Sequence, residues 1–313
     1  GAADPLAPVV AAQALLAEDP RAAAGPGLRQ LALAHANLLI ETGRKDQAIA
    51  VLDAALADDP DDNSAQLRRG VLALEQGRAA AGRADLAAVF ERTGGYPGLV
   101  GPLGRLYLRD GDLTGLAKLL QPYGADLDAP DDVVLMSALL RLAHGDREAA
   151  GSNVEKVLQR SPGSSEAHLV KARVLYERDR HVEAAAEIRL ARSRAPDAEV
   201  ELWTGKIAER SGKTQEAVAA YRRARQQDPG LLEAGFLLGR ALLAQGLVRE
   251  AVTELQAVTR AADVPPGAHL ALGLALRERE QLPEALQSFV HAIEHDPNPD
   301  EALYWAGRTA AQL

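Results

Sequence analysis

The stretch Ala198 to Gly230, AEVELWTGKIAERSGKTQEAVAAYRRARQQDPG, decides the fold. It predicts a helical hairpin. The first helix is expected from about Glu199 to Glu209, with a turn at Ser211-Gly212. The second is expected from near Thr214 to the residue before Asp228-Pro229, because proline lacks an amide donor and disfavours helix in the residue preceding it. Small residues stand where the two helices must cross closely: Gly205 on the first, Ala217 and Ala224 on the second. Tyr221 is expected to fill the space between them.

The same unit recurs along the chain. With Gly205 as marker, the small residue of each first helix falls at Ala36, Gly70, Gly104, Ala138, Ala172, Gly205, Gly239, Gly273 and Gly307. Each step is 34 residues except one of 33, between Ala172 and Gly205. A turn glycine lies seven residues on, at Gly43, Gly77, Gly111, Gly145, Gly212 and Gly246. The second-helix alanine follows at Ala48, Ala150, Ala184, Ala217, Ala251 and Ala285, and a closing proline at Pro60, Pro162, Pro196, Pro229 and Pro297.

This register resembles the tetratricopeptide repeat, whose helix-turn-helix unit has a period of about 34 residues. The resemblance implies an all-α fold, a right-handed superhelical α-solenoid of about eight units with terminal capping helices. Residues 1–28 are expected to form an N-terminal capping helix, over Val9 to Glu18, and a loop. Residues 29–130 hold units one to three, and 131–313 hold units four to eight with a C-terminal capping helix. Thr93-Gly94-Gly95 replaces the closing proline of the second unit, and Pro122 interrupts the second helix of the third. A proline inside a helix costs about 3 kcal/mol, so that helix should end near Gln121 and the array should be weakest between Thr93 and Pro130.

Composition agrees with thin helix-on-helix layers. Hydrophobic residues make up 47% of the chain and aromatics only 4%, so alanine and leucine must do most of the packing. The net charge of −9 makes nucleic acid a poor partner, because such binding needs a basic face. The chain has no cysteine, which removes disulfides, thiolate metal sites and cysteine nucleophiles together. It begins Gly1-Ala2-Ala3 and its single methionine is Met136, so the natural start is expected upstream, where a leader or lipid anchor could lie. No apolar run reaches membrane-spanning length.

In the family it resembles, the first helices line the concave surface and peptides bind there. Three rows on those helices are therefore of interest. The apolar row is Leu33, Leu67, Leu135, Leu169, Leu202, Phe236, Leu270 and Tyr304. One turn on lies a basic row, Arg105, Arg173, Lys206, Arg240 and Arg308; three residues before the apolar row stand Glu166, Glu199, Glu233 and Glu301. A groove of apolar pockets flanked by guanidinium forks suits an extended segment carrying carboxylates. The expected partner-binding residues are Arg105, Leu169, Arg173, Tyr176, Leu202, Lys206, Phe236, Arg240, Tyr304 and Arg308, with the main track between Ser165 and Leu243. Arg173 and Arg240 are expected to face solvent. The same rows have a purely structural reading, in which leucines pack, glutamates complement helix dipoles and bases pair with glutamates of adjacent units.

Other motifs fall away on inspection. The carboxylate-clamp subgroup, which grips acidic tails of heat-shock chaperones, needs a lysine in the apolar row with asparagine one turn on. Asn37 fits, but Leu33 occupies the lysine position. Ser211-Gly212-Lys213-Thr214 resembles the end of a phosphate-binding loop, but Ile207 replaces the required first glycine and no strand precedes it. His291 and His295 sit one helical turn apart without a third ligand evident in sequence, and read as a solvated pair. No catalytic residue, cofactor or metal is expected. The resemblance implies a non-enzymatic adaptor that binds a protein or peptide partner, of a bacterial type serving envelope assembly, secretion or protease-substrate presentation, in the periplasm or anchored at the outer membrane. The rival class is a repeat region belonging to a larger enzyme such as a glycosyltransferase.

Overall fold

The computed structural model describes residues 26–313 apart from 97, 125, 127 and 262. The capping helix expected over Val9 to Glu18 lies outside the described residues. Two compact units divide the chain, one ending at Ala143 and the other His144–Leu313. The described residues contain helices and turns and no strand.

In the first unit the helices are α1 (Pro26–Glu41), α2 (Lys45–Asp58), α3 (Asn63–Glu75), α4 (Ala79–Thr93), α5 (Val100–Arg109), α6 (Leu113–Leu120) and α7 (Asp131–Ala143). They pair as α1 with α2, α3 with α4 and α5 with α6, and α7 packs on both α5 and α6. The second unit holds α8 (Arg147–Arg160), α9 (Ser165–Glu177), α10 (His181–Arg194), α11 (Ala198–Arg210), α12 (Thr214–Gln227), α13 (Leu232–Ala244), α14 (Val248–Thr259), α15 (Ala268–Glu278), α16 (Leu282–His295) and α17 (Asp300–Ala310). Here α8 packs on α9, four antiparallel pairs run from α9 to α16, and α17 lies on α16 and α15.

The hairpin α11–α12 shows why the register works. Asp197 caps α11 by accepting a hydrogen bond at Oδ1 from the Val200 amide, 2.8 Å away, which satisfies one of the free donors at the helix start. A Cβ added at Gly205 would stand 2.3 Å from Tyr221 Cε1, and one at Gly273 2.4 Å from Phe289 Cε1, both well inside contact distance. One at Gly239 would sit 2.5 Å from Leu255 Cγ. The marker glycine thus makes room for a large residue from the partner helix, and Tyr221 and Phe289 are fully buried as a result. Burial, followed by the neighbouring Glu209 carboxylate, holds the Tyr221 hydroxyl pKa well above the usual phenol range, and its proton is donated to Glu209 Oε2 at 2.8 Å.

The turn position needs a left-handed residue. Gly43, Gly77, Gly111, Gly145, Gly212 and Gly246 all have positive φ there, which glycine adopts without a Cβ clash. In two hairpins the glycine is missing, and Asp179 (φ 56°) and Glu280 (φ 60°) take the same conformation at the same register position. The repeat geometry therefore overrides local preference.

The hairpin α5–α6 departs from the pattern where Pro122 and Gly124 stand. Helix α6 stops at Leu120 after eight residues and a single 3₁₀ turn, Gln121–Tyr123, follows. Upstream, α4 ends on Gly94 in the left-handed region.

Candidate partner-binding surface

Consecutive first helices touch: α5 with α7 in the first unit, and α9 with α11, α13 with α15 and α15 with α17 in the second. No two consecutive second helices pack as closely among the described residues. Within the second unit the first helices therefore occupy the shorter side of the stack. The apolar, basic and acidic rows all lie on them.

The apolar row divides by depth. Leu169 and Leu202 are buried in the core, 5% and 3% exposed, and belong to the packing between hairpins. They correct the expectation that both line a groove. Phe236 is partly buried against the core, and Tyr304 is 57% exposed. Small residues at the crossing draw the hairpins close enough to cover the leucines.

The basic row meets the acidic row across repeats. Arg173 Nη1 lies 3.0 Å from Glu199 Oε1, and Lys206 Nζ lies 2.6 Å from Glu233 Oε1. Arg173 is not the solvent-exposed charge expected from sequence, because its side chain is only 17% exposed. Burial lowers its pKa and the carboxylates of Glu199, Glu233 and Glu177 oppose that shift. Its Nε has no acceptor among the described residues. Arg240 is different: its side chain is 51% exposed and its nearest carboxylate, Glu209, is 3.8 Å away and already bonded to Tyr221. Arg308 is exposed and donates to the Tyr304 hydroxyl at 3.1 Å. Arg105, in the first unit, is exposed above Gly101, its guanidinium within 3.6 Å of where a Cβ there would be.

Trp203 is the residue that sequence reasoning missed. The Arg173 guanidinium lies 4.9 Å and the Lys206 ammonium 4.4 Å from its ring centre, both within cation-π range. Tyr176 meets it edge to face at 5.6 Å. Trp305, 102 residues on and in the same register, is held likewise between Arg277 at 3.6 Å and Arg308 at 5.6 Å. The available signal was rarity, since the chain has only two tryptophans and both fall at this position. Arginines also stand beside Tyr176 (Arg210, 5.6 Å), Phe236 (Arg240, 5.6 Å) and Tyr304 (Arg308, 5.8 Å).

Other cavities and motifs offer less. A cavity of about 690 Å³ lies among α8, α9 and α10, but most of its charges are engaged: Lys171 pairs with Glu155 and Glu187 at 3.1 and 3.0 Å, and Arg178 with Glu148 at 3.2 Å. The Ser211 to Thr214 motif is the turn joining α11 to α12, with helices on both sides.

Comparison with known proteins agrees with this geometry. The tetratricopeptide repeat family matches residues 33–97, 141–205 and 208–274, together more than half of the chain. The chain belongs to the tetratricopeptide repeat family. No curated protein matches its sequence significantly. Among solved structures, the APC/C hetero-tetramer Cut9-Hcn1 is similar with a TM-score of 0.67 at 14% identity, over 96% of this chain and 59% of that one. This tetratricopeptide chain thus spans less than two thirds of that neighbour's length. The human IFIT1 dimer with PPP-AAAA gives a TM-score of 0.62 at 17% identity, over 90% of this chain and 72% of that one. A tetratricopeptide repeat protein from Parabacteroides merdae gives 0.53 at 15% identity, over 79% and 98%. At such identities the likeness concerns the fold. Repeats of this family are in general protein-interaction scaffolds, and no helix among the described residues is long and apolar enough to cross a membrane.

Proposed function

We propose that the chain is a non-enzymatic scaffold whose second unit holds an extended, acidic segment of a partner protein along its first helices. One observation carries the reading. Phe236 with Arg240 and Tyr304 with Arg308 place an aromatic, half-buried in the first pair and exposed in the second, one helical turn from an exposed guanidinium at the same register position, and no carboxylate pairs with Arg308 among the described residues. An aromatic supplies contact area and a guanidinium supplies a directional fork, the two residue types that dominate binding energy in protein interfaces.

Arg173, Lys206 and Trp203 have a different part. Their mutual contacts hold neighbouring first helices in fixed spacing, so the aromatic–guanidinium pairs are presented on a rigid track. Charge reversal at Arg240 and Arg308 should leave folding intact, since exposed charges contribute about 0–1 kcal/mol each.

The test is selection from a random peptide library on the immobilised protein. Wild type should enrich sequences with Asp or Glu next to apolar residues, with binding that weakens as salt rises. In Arg240→Glu/Arg308→Glu that acidic enrichment should disappear. Identical enriched sequences for both proteins, with equal salt dependence, would place the binding surface elsewhere.

A further inference from the structure

The last antiparallel pair carries a side-chain cluster that the first-helix track does not use. The final turn of α16 presents His291, Glu294 and His295, and α15 brings His269 alongside. The rings of His291 and His295 stack, 6.4 Å apart and inclined by 13°. Glu294 Oε2 lies 3.9 Å from His291 Nδ1 and 3.9 Å from His295 Nε2. One donor atom from each of the three residues fits within 4.8 Å of the others. On the far side, the His269 ring is 5.3 Å from that of His291.

We propose that His291, Glu294 and His295 bind a divalent transition metal of the zinc type. In a tetrahedral zinc site with ligand bonds near 2.0–2.1 Å, neighbouring donors stand about 3.4 Å apart. The separations here exceed that by amounts a small side-chain rotation removes. That rotation is open, since the side chains of His291, Glu294 and His295 are 44%, 57% and 66% exposed. Among the described residues Glu294 pairs with these two histidines and with no lysine or arginine, so no base has to be displaced.

Two features set the chemistry. Two imidazole nitrogens with one carboxylate oxygen suit zinc, nickel or copper, whereas magnesium and calcium take all-oxygen sets. The site also lies on the last turn of α16, Leu282–His295, where unpaired carbonyls leave partial negative charge that favours a cation. Three protein donors leave a coordination position open to water or to a donor from another molecule.

Titration of zinc chloride into the full chain, free of any polyhistidine tag, tests the site by calorimetry. The expected result is one zinc per chain, weakened at least about tenfold by His291→Ala, by His295→Ala and by Glu294→Gln separately. Cobalt(II) in place of zinc should give the intense visible absorption of a four-coordinate ion, lost in His291→Ala/His295→Ala. Circular dichroism checks that each variant keeps its helices; where an alanine variant does not, His291→Gln/His295→Gln takes its place. Zinc affinity unchanged in the folded double-histidine variant overturns the site. Affinity unchanged in Glu294→Gln overturns the assignment of the carboxylate as third ligand.

Discussion

The hairpins α5–α6 and α11–α12 descend from the same register, yet they are built differently. In α11–α12 the helices run 13 and 14 residues, Tyr221 fills the gap over Gly205, and the buried Glu201 is bridged by two half-exposed arginines, Arg223 of α12 and Arg192 of the preceding α10. Arg192 Nε and Arg223 Nη2 each stand 2.8 Å from that carboxylate, whose side chain is only 2% exposed. In α5–α6 the helices run 10 and 8 residues, and Gly104 receives Met136 from α7 in place of an aromatic from its own partner. Leu103, Leu116 and Leu119 are fully buried there, so the short hairpin is built around an apolar core. A unit of this kind can lose its second helix by half and still be tied in by its neighbour. The regular unit fills its own crossing with Tyr221 and takes Arg192, on α10, from its neighbour.

The largest expected effect tests the ion network of the regular hairpin. Arg192→Ala/Arg223→Ala leaves Glu201 buried without a counter-charge and should cost about 3–5 kcal/mol. Amides of α11 should then exchange with solvent as fast as those of α5, and unchanged protection of α11 would show the network to be dispensable.

Gly205→Ala forces a methyl against the Tyr221 ring and should cost about 1–3 kcal/mol, read as a lower denaturant midpoint for the second unit. At Gly307, in the same register, a Cβ meets no atom within 4 Å among the described residues. Gly307→Ala should therefore stabilise α17 by about 0.5–1 kcal/mol through helix propensity. Equal effects of the two substitutions would refute the view that the marker glycine exists to admit a partner side chain.

Without any mutation, amide exchange across residues 113–124 should be faster than across 214–227, because a two-turn helix ended by proline has fewer buried hydrogen bonds to break. Equal rates would show that packing by α7 makes good the lost helix.

The smallest effect concerns the two turns that lack glycine. Asp179→Gly and Glu280→Gly relieve a left-handed conformation and should each stabilise by up to about 1 kcal/mol. Asp179 also pairs with Arg210 at 3.0 Å, so its gain should be the smaller of the two.

The periodic sequence determined the hairpin boundaries, the turn, the glycine that admits Tyr221 and the early stop at Pro122. Each depends on residues close in the chain, on helix period, proline geometry and the volume of one crossing point. The spacing of His291, Glu294 and His295 was equally local and could have been read as three donors, since residues three and four apart share a helix face. Tertiary structure alone decided which members of a row are surface and which are core. Leu202 and Phe236 are identical by register, but only the packing of adjacent hairpins buries the first and leaves the second half-buried. It also decided that Arg173 turns inward to Glu199 and Trp203 while Arg240 stays open. A long side chain can reach several partners, and the one it takes depends on charges and rings brought near by helices 26 or more residues away in sequence.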